Sequence, residues 1–180
     1  MGGERKRRII VYIATSADGF IARRDGSFDW LERPRPKGNY GIATFFRSID
    51  TILWGRKTYD LALKHGGSRT GPRIANYVFS RRRLPQKPGW NYVKDPIAPF
   101  AERLRAAPGK DIWIMGGAGL VGSFLDAGQI NEFIISVIPI FIGEGIPLMQ
   151  PRRRQVRLEL KSSRRFSDGV VQLRYAVKSR

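Results

Sequence analysis

The chain of 180 residues carries 33 Lys and Arg against 15 Asp and Glu, a formal net charge of +18 that calls for an anionic partner. At 42% hydrophobic and 11% aromatic it has enough apolar side chain for the core of one domain, which excludes disorder over most of its length. No cysteine and a single histidine, His65, exclude disulfides, thiol nucleophiles, thiolate metal centres and multi-histidine metal sites, so no metal is expected and reactive chemistry would have to come from a cofactor.

Residues 1–8 read as a basic N-terminal arm, with Arg5-Lys6-Arg7-Arg8 ahead of one domain spanning 9–180. The apolar run Ile9 to Ala14 is shorter than the about 7–15 residues of a signal sequence and reads as a buried first strand. No run approaches the roughly 18 apolar residues of a membrane span, so no membrane association and a cytoplasmic location are expected. The stretch Arg23 to Tyr40, rich in Gly, Pro and charge, is long enough to serve as a lid. Further β-branched or aromatic runs at Thr51 to Trp54, Tyr77 to Ser80, Ile112 to Met115 and Phe133 to Ile138 predict strands. Helical spacing predicts helices over Thr44 to Ile49, Thr58 to Lys64, Ile97 to Ala106 and Leu120 to Ala127, with Gly66 and Gly128 as stops. This alternation is that of an α/β domain whose largely parallel sheet is covered on both faces. After residue 138 the pattern changes: Val156 to Lys161 and Val170 to Val177 flank Ser167-Asp168-Gly169, the signature of an antiparallel hairpin.

Three predicted strands end in residues suited to phosphate. Asp111 to Met115 runs into Gly116-Gly117-Ala118-Gly119-Leu120, where bare backbone N–H groups open a helix. Gly117, Gly119 and Gly122 satisfy G-x-G-x-x-G, but the next strand ends in Pro139 with no acidic residue to hold a ribose. A phosphate-cradling turn of another fold, a Rossmann turn and simple tight packing all remain open at this point. Leu53-Trp54 is followed by Gly55-Arg56-Lys57-Thr58, which sets two cations where a helix dipole disfavours them unless they meet an anion or simply face water. Val78-Phe79 leads into Ser80-Arg81-Arg82-Arg83, either a third phosphate contact or a solvated loop. Ligands of open α/β sheets gather at the carboxyl ends of strands, so one extended polyanion such as a dinucleotide with a 2′-phosphate would unite the three.

In the order and spacing of these motifs the chain resembles the dihydrofolate reductase-like superfamily. It is most similar to the reductase domain at the C-terminus of bifunctional riboflavin-biosynthesis deaminase-reductases. Ala14 to Ala22 looks like the family's first strand and loop, Asp29-Trp30 falls where that loop's tryptophan is expected, and Phe141 to Leu148 resembles the riboflavin-type branch. The resemblance implies a three-layer dihydrofolate reductase-like fold and an NADPH-dependent reductase of a small heterocyclic or conjugated substrate, similar to 5-amino-6-(5-phosphoribosylamino)uracil reductase. It places the nicotinamide beside Ala14 and Ile21 and the pyrophosphate on Gly116, Gly117, Ala118, Gly119 and Leu120. The remaining phosphates and the adenosine fall to Gly55, Arg56, Lys57, Thr58, Ser80, Arg81 and Arg82. It further implies a cis peptide between Gly116 and Gly117 and a homodimer, for which Phe133 to Ile142 could supply the surface or could equally be a buried central strand.

Asp18 is the carboxylate expected nearest the nicotinamide, as a substrate contact or proton path, against its bland role in an Asp-Gly turn. Asp29, Trp30 and Glu144 are expected to contact substrate, with loop packing or a turn as their alternatives. His65 reads as a capping cation at a helix end. Folate-reducing members carry an acidic residue just before the aromatic pair of the first helix; Tyr40 to Thr44, ahead of Phe45-Phe46, contains none, so folate reduction is not expected. The competing reading is a nucleic-acid-binding protein without catalytic activity, drawing on the clusters Arg5 to Arg8, Arg81 to Arg83, Arg152 to Arg154 and Arg164-Arg165. Their scatter along the chain limits that reading to non-specific contact.

Overall fold

The apolar runs become strands because each finds cover on both of its faces. In the computed structural model, which describes residues 5–64, 66, 71, 73–151 and 155–178, the chain runs through β1 (Ile9–Ser16), β2 (Phe20–Ala22), α1 (Ile42–Ser48), β3 (Ile49–Gly55), α2 (Arg56–Lys64), β4 (Ala75–Phe79) and β5 (Trp90–Val93). It continues through α3 (Ile97–Ala106), β6 (Asp111–Gly116), α4 (Ala118–Asp126), β7 (Glu132–Ile138), β8 (Ile146–Pro147), β9 (Leu158–Arg165) and β10 (Val171–Val177). Eight strands form one sheet in the order β5-β4-β3-β6-β1-β7-β10-β9. The pairs from β5 to β7 are parallel, whereas β7 with β10 and β10 with β9 are antiparallel. Strands β2 and β8 pair separately.

Alternate residues of each strand feed opposite layers. Ile9, Val11, Leu53, Ile112 and Ile114 pack with Phe100 and Ala101 of α3 and Leu120, Val121 and Phe124 of α4. Their neighbours Ile10, Ile52, Trp54 and Trp113 pack with Phe45 of α1 and Tyr59 of α2. Three layers result, as the resemblance implies. The stretch 23–41 is anchored by a third, smaller core in which Trp30 meets Ile138, Phe166 and Val170. Its far end is tied down by the Tyr40 hydroxyl, which donates to Asp168 at 2.5 Å, and by Arg33, which donates to the Asp168 carbonyl at 2.6 Å.

The residues expected to form a basic arm depart from that expectation from Arg5 onward. Arg7 is buried, pairing with Asp50 and donating to Thr51 and to the carbonyls of Lys110 and Leu104. Arg8 and Arg5 pair with Asp111, and Arg8 also reaches Glu132. Carboxylates buried at the starts of β6 and β7 need partners, and these arginines supply them. His65 and Arg152 to Arg154 lie outside the described residues.

Candidate functional site

Because the six strands from β5 to β7 are parallel, β4, β3, β6, β1 and β7 all end on one edge. Register puts Gly55 level with Phe79, Trp54 with Gly116 and Ser16 with Ile138. The loops that follow are Ser80–Arg82, Arg56–Thr58, Gly116–Gly117, Ala17–Asp18 and Pro139–Phe141, side by side in that order.

At the centre of the edge Gly116 and Gly117 are joined by a cis peptide. The turn sits hard against β3: a Cβ on Gly55 would lie 3.1 Å from the Gly117 nitrogen and 3.2 Å from the Gly116 oxygen. Only a glycine at 55 admits this contact without displacing backbone. A Cβ on Gly117 would come within 3.3 Å of the Thr58 hydroxyl, so Thr58 faces the turn. Helix α4 then starts with Gly117 as its N-cap and no side-chain cap. Its first N–H groups, on Ala118 and Gly119, are thus left for an anion, and around Gly119 a Cβ would meet nothing within 4 Å. Leu120, in contrast, is 8% exposed and turns its side chain into the core, so it belongs to the turn only through its backbone.

Beyond β3 and β4 the edge is cationic. Arg56 is engaged by Asp60 at 2.9 Å within α2, whereas Lys57, Arg81 and Arg82 are exposed and have no carboxylate partner among the described residues. The Ser80 hydroxyl accepts from the Arg82 N–H at 3.2 Å and donates to the Arg82 carbonyl at 2.9 Å, which fixes the bend carrying the arginines. A glycine turn with an uncapped helix, bordered by Lys57, Arg81 and Arg82, offers free backbone N–H groups and positive charge to an anionic ligand.

On the other side of the turn the expected acidic residues have different tasks. Asp18 accepts from the Gly143 N–H at 2.8 Å and from the Ile142 N–H at 3.2 Å. The Ser16 hydroxyl and these two amides hold its pKa below the ordinary carboxylate range. It stays ionised at neutral pH and clasps two loops together, an anchoring task that the sequence does not announce. Asp29 is held by Arg23 in a two-pronged ion pair at 2.6 and 3.0 Å, and Glu144 pairs with Arg24 at 2.9 Å. Both carboxylates are thus paired with cations at the start of the stretch from Arg23 to Tyr40. Trp30 is 7% exposed and packs in the small core, so it is loop packing rather than an open platform, although its indole N–H meets no acceptor among the described residues. Ala14 and Ile142 border that same core. Ile21, in β2, is half-buried behind the clasp.

Two features here leave no motif in the sequence. Tyr40 and Asn39 adopt positive φ of 57° and 43°, and Asp168, which marks a turn in sequence, accepts from the Tyr40 hydroxyl; burial and Asp168 push the tyrosine up to about 12. Gln172 of β10 donates to Tyr12, to Ser136 and to the Tyr40 carbonyl, fastening the end of the Arg23 to Tyr40 stretch to the sheet. No local pattern announces partners that lie 128 and 132 positions apart.

Known proteins bear on this arrangement. The family model of the RibD C-terminal domain matches residues 96–172, from α3 to β10, which includes the glycine turn. The chain is 36% identical over 171 residues to the uncharacterized protein YwjB of Bacillus subtilis, covering 94% of this chain and 98% of that one. It is 32% identical over 145 residues to the riboflavin biosynthesis protein RibD of Mycobacterium tuberculosis, covering 72% of this chain and 41% of RibD. Among solved structures, a Shewanella sp. PV-4 protein named for riboflavin biosynthesis superposes with a TM-score of 0.85 at 27% identity, over 96% of this chain and 99% of that one. The chain spans less than half the length of the RibD proteins it matches.

Proposed function

The chain belongs to the RibD C-terminal domain family, and from that premise we propose that it is an NADPH-dependent reductase of a small heterocyclic substrate of the riboflavin-pathway type. The observation that carries the reading is the sheet edge itself, where an uncapped helix behind Gly116–Gly117 adjoins Lys57, Arg81 and Arg82. Lys57 and Arg81 would take the 2′-phosphate and Ala118 and Gly119 the diphosphate, leaving the end of β1 for the nicotinamide. When bound, the cofactor would supply the hydride. The chain's own contribution is to fix the two reactants side by side and to keep water out under the lid from Arg23 to Tyr40, which Tyr40, Arg33 and Gln172 hold to the sheet. The same reading includes a homodimer.

Titration with NADPH and NADH, followed by nicotinamide fluorescence, tests the assignment. NADPH is expected to bind more tightly, and replacing Lys57 and Arg81 together by alanine should cost about 10–100-fold in NADPH affinity while leaving NADH nearly unchanged. Equal affinity for the two cofactors would remove the 2′-phosphate assignment; binding of neither would remove the reductase reading.

A further inference from the structure

The carboxyl edge has a polarity that cofactor binding alone does not use up. In sheet order it passes from Ser80–Arg82 through Arg56–Thr58, Gly116–Gly117 and Ala17–Asp18 to Ile140–Phe141. Neighbouring strands are about 4.8 Å apart, so the three steps from β4 to β1 span about 14 Å, room for an extended dinucleotide, and the end of β7 lies one strand further on. The edge is cationic at its β4 end and apolar at its β7 end, where Ile140 is 38% and Phe141 77% exposed.

An exposed phenylalanine on a loose loop would need no account. This one is on a loop held from several directions. The Ala17 N–H donates to the Ile140 carbonyl at 2.8 Å, and Asp18 takes the next two amides, Ile142 and Gly143. Glu144 is paired with Arg24, and Leu148 N–H donates to the Gly19 carbonyl at 3.0 Å. Gly145 lies flat against the Ala22 carbonyl, where any Cβ would collide. Clasps on both sides of Phe141 thus fix its backbone beside the end of β1 while its ring stays in solvent.

We propose that Phe141 is the platform on which the planar ring of the hydride acceptor stacks, with Ile140 as its apolar border. The proposal rests on the cofactor reading for the position of the nicotinamide and adds the acceptor's side of the site. It makes the acceptor a flat, conjugated ring that meets an aromatic face rather than a charged side chain, since Asp29 and Glu144 are taken by arginines. Asp18 is here a positioning residue, acting through the backbone of the loop.

The test uses the whole chain saturated with NADP+ and the uncharged fluorescent ring lumazine as probe. Wild type is expected to bind lumazine, Phe141→Ala to weaken that binding about tenfold, and Phe141→Trp to restore it to within about twofold. NADPH affinity should stay within about twofold of wild type in both variants. Phe141→Leu keeps apolar volume but no ring, and should be as weak as alanine; it also replaces the alanine variant should that one fail to fold. The proposal is overturned if wild type loaded with NADP+ takes up no lumazine, or if the alanine and leucine variants bind it as wild type does. A fall in molecular mass on substitution would overturn it too, because Phe141 would then be a contact between copies. Lumazine binding that depends on Phe141 in a chain that binds no NADPH would keep the platform and remove the reductase reading instead.

Discussion

At Asp18 one carboxylate accepts from two successive amides, and its charge is what makes those bonds strong. The pKa lies below the ordinary value of 3.8, chiefly through the Ser16 hydroxyl and then the Gly143 and Ile142 amides, so the folded clasp binds a proton less readily than the unfolded chain. The clasp's contribution is therefore complete above about pH 4 and is lost as pH falls through the lowered folded value. In an NMR titration the Ile142 and Gly143 amide protons should move together with a midpoint below 3.8. In Asp18→Ala both amides should lose hydrogen-exchange protection, about tenfold at neutral pH. A midpoint at or above 3.8, or unchanged protection in the variant, would show that the carboxylate does not hold the loop. The residue type and its place after the first strand were legible in sequence; the task was not, because its partners lie 124 and 125 positions away. Asp29 and Glu144 follow the same logic, since an arginine that claims a carboxylate leaves no local trace.

Among the elements, the helices and buried strands were legible where apolar spacing alone decides. The helix over Ile97–Ala106 has the expected bounds, and the hairpin about Asp168-Gly169 forms as β9 and β10. Strand β5, Trp90-Asn91-Tyr92-Val93, is not legible in sequence because it is short and lies at an edge with Asn91 exposed, so its pattern does not differ from that of a loop. The segment from Arg5 to Arg8 has the composition of a solvated basic arm, yet two buried carboxylates, Asp111 at 1% and Glu132 at 6% exposure, draw it onto the sheet. Arg7 goes furthest, joining the start of β3, the end of α3 and the loop before β6. Replacing it by alanine removes one partner of a buried pair and uncaps two carbonyls, and should cost about 3 kcal/mol in denaturant unfolding. The figure sits at the low end of the usual range because Asp50 keeps the Thr51 hydroxyl and the Lys110 N–H. A cost below about 1 kcal/mol would return these residues to the status of a dispensable arm.

For the whole molecule, the surplus of +18 separates into cations with different surroundings. Some neutralise internal carboxylates, as Arg5, Arg7, Arg8 and Arg174 do; some border the glycine turn; and Lys161, Arg164 and Arg165 stud β9, the outermost strand. An exposed edge strand invites pairing with a second sheet, and charge along it opposes that. Charge along β9 therefore disfavours association of two copies through that edge. Leu158 and Leu160, 42% and 53% exposed, pair in register with Val177 and Tyr175, which pack on the α3 and α4 side of the sheet. Beside them a shallow groove of about 100 Å³ is lined by Leu125, Phe133, Ile135, Met149, Val156 and Leu158. Phe133 to Ile138 itself is an interior strand between β1 and β10, so its backbone is already paired on both sides and it can meet a partner only through a face, where Phe133 and Ile135 line this groove. If the homodimer forms through this face, light scattering should give twice 20.4 kDa for wild type and 20.4 kDa for the double variant Leu158→Asp, Leu160→Asp, with its circular dichroism unchanged. NADPH binding should survive in the monomer, because none of these residues lies on the carboxyl edge. Wild type at 20.4 kDa would remove the dimer, and a variant that keeps the doubled mass would move the interface elsewhere.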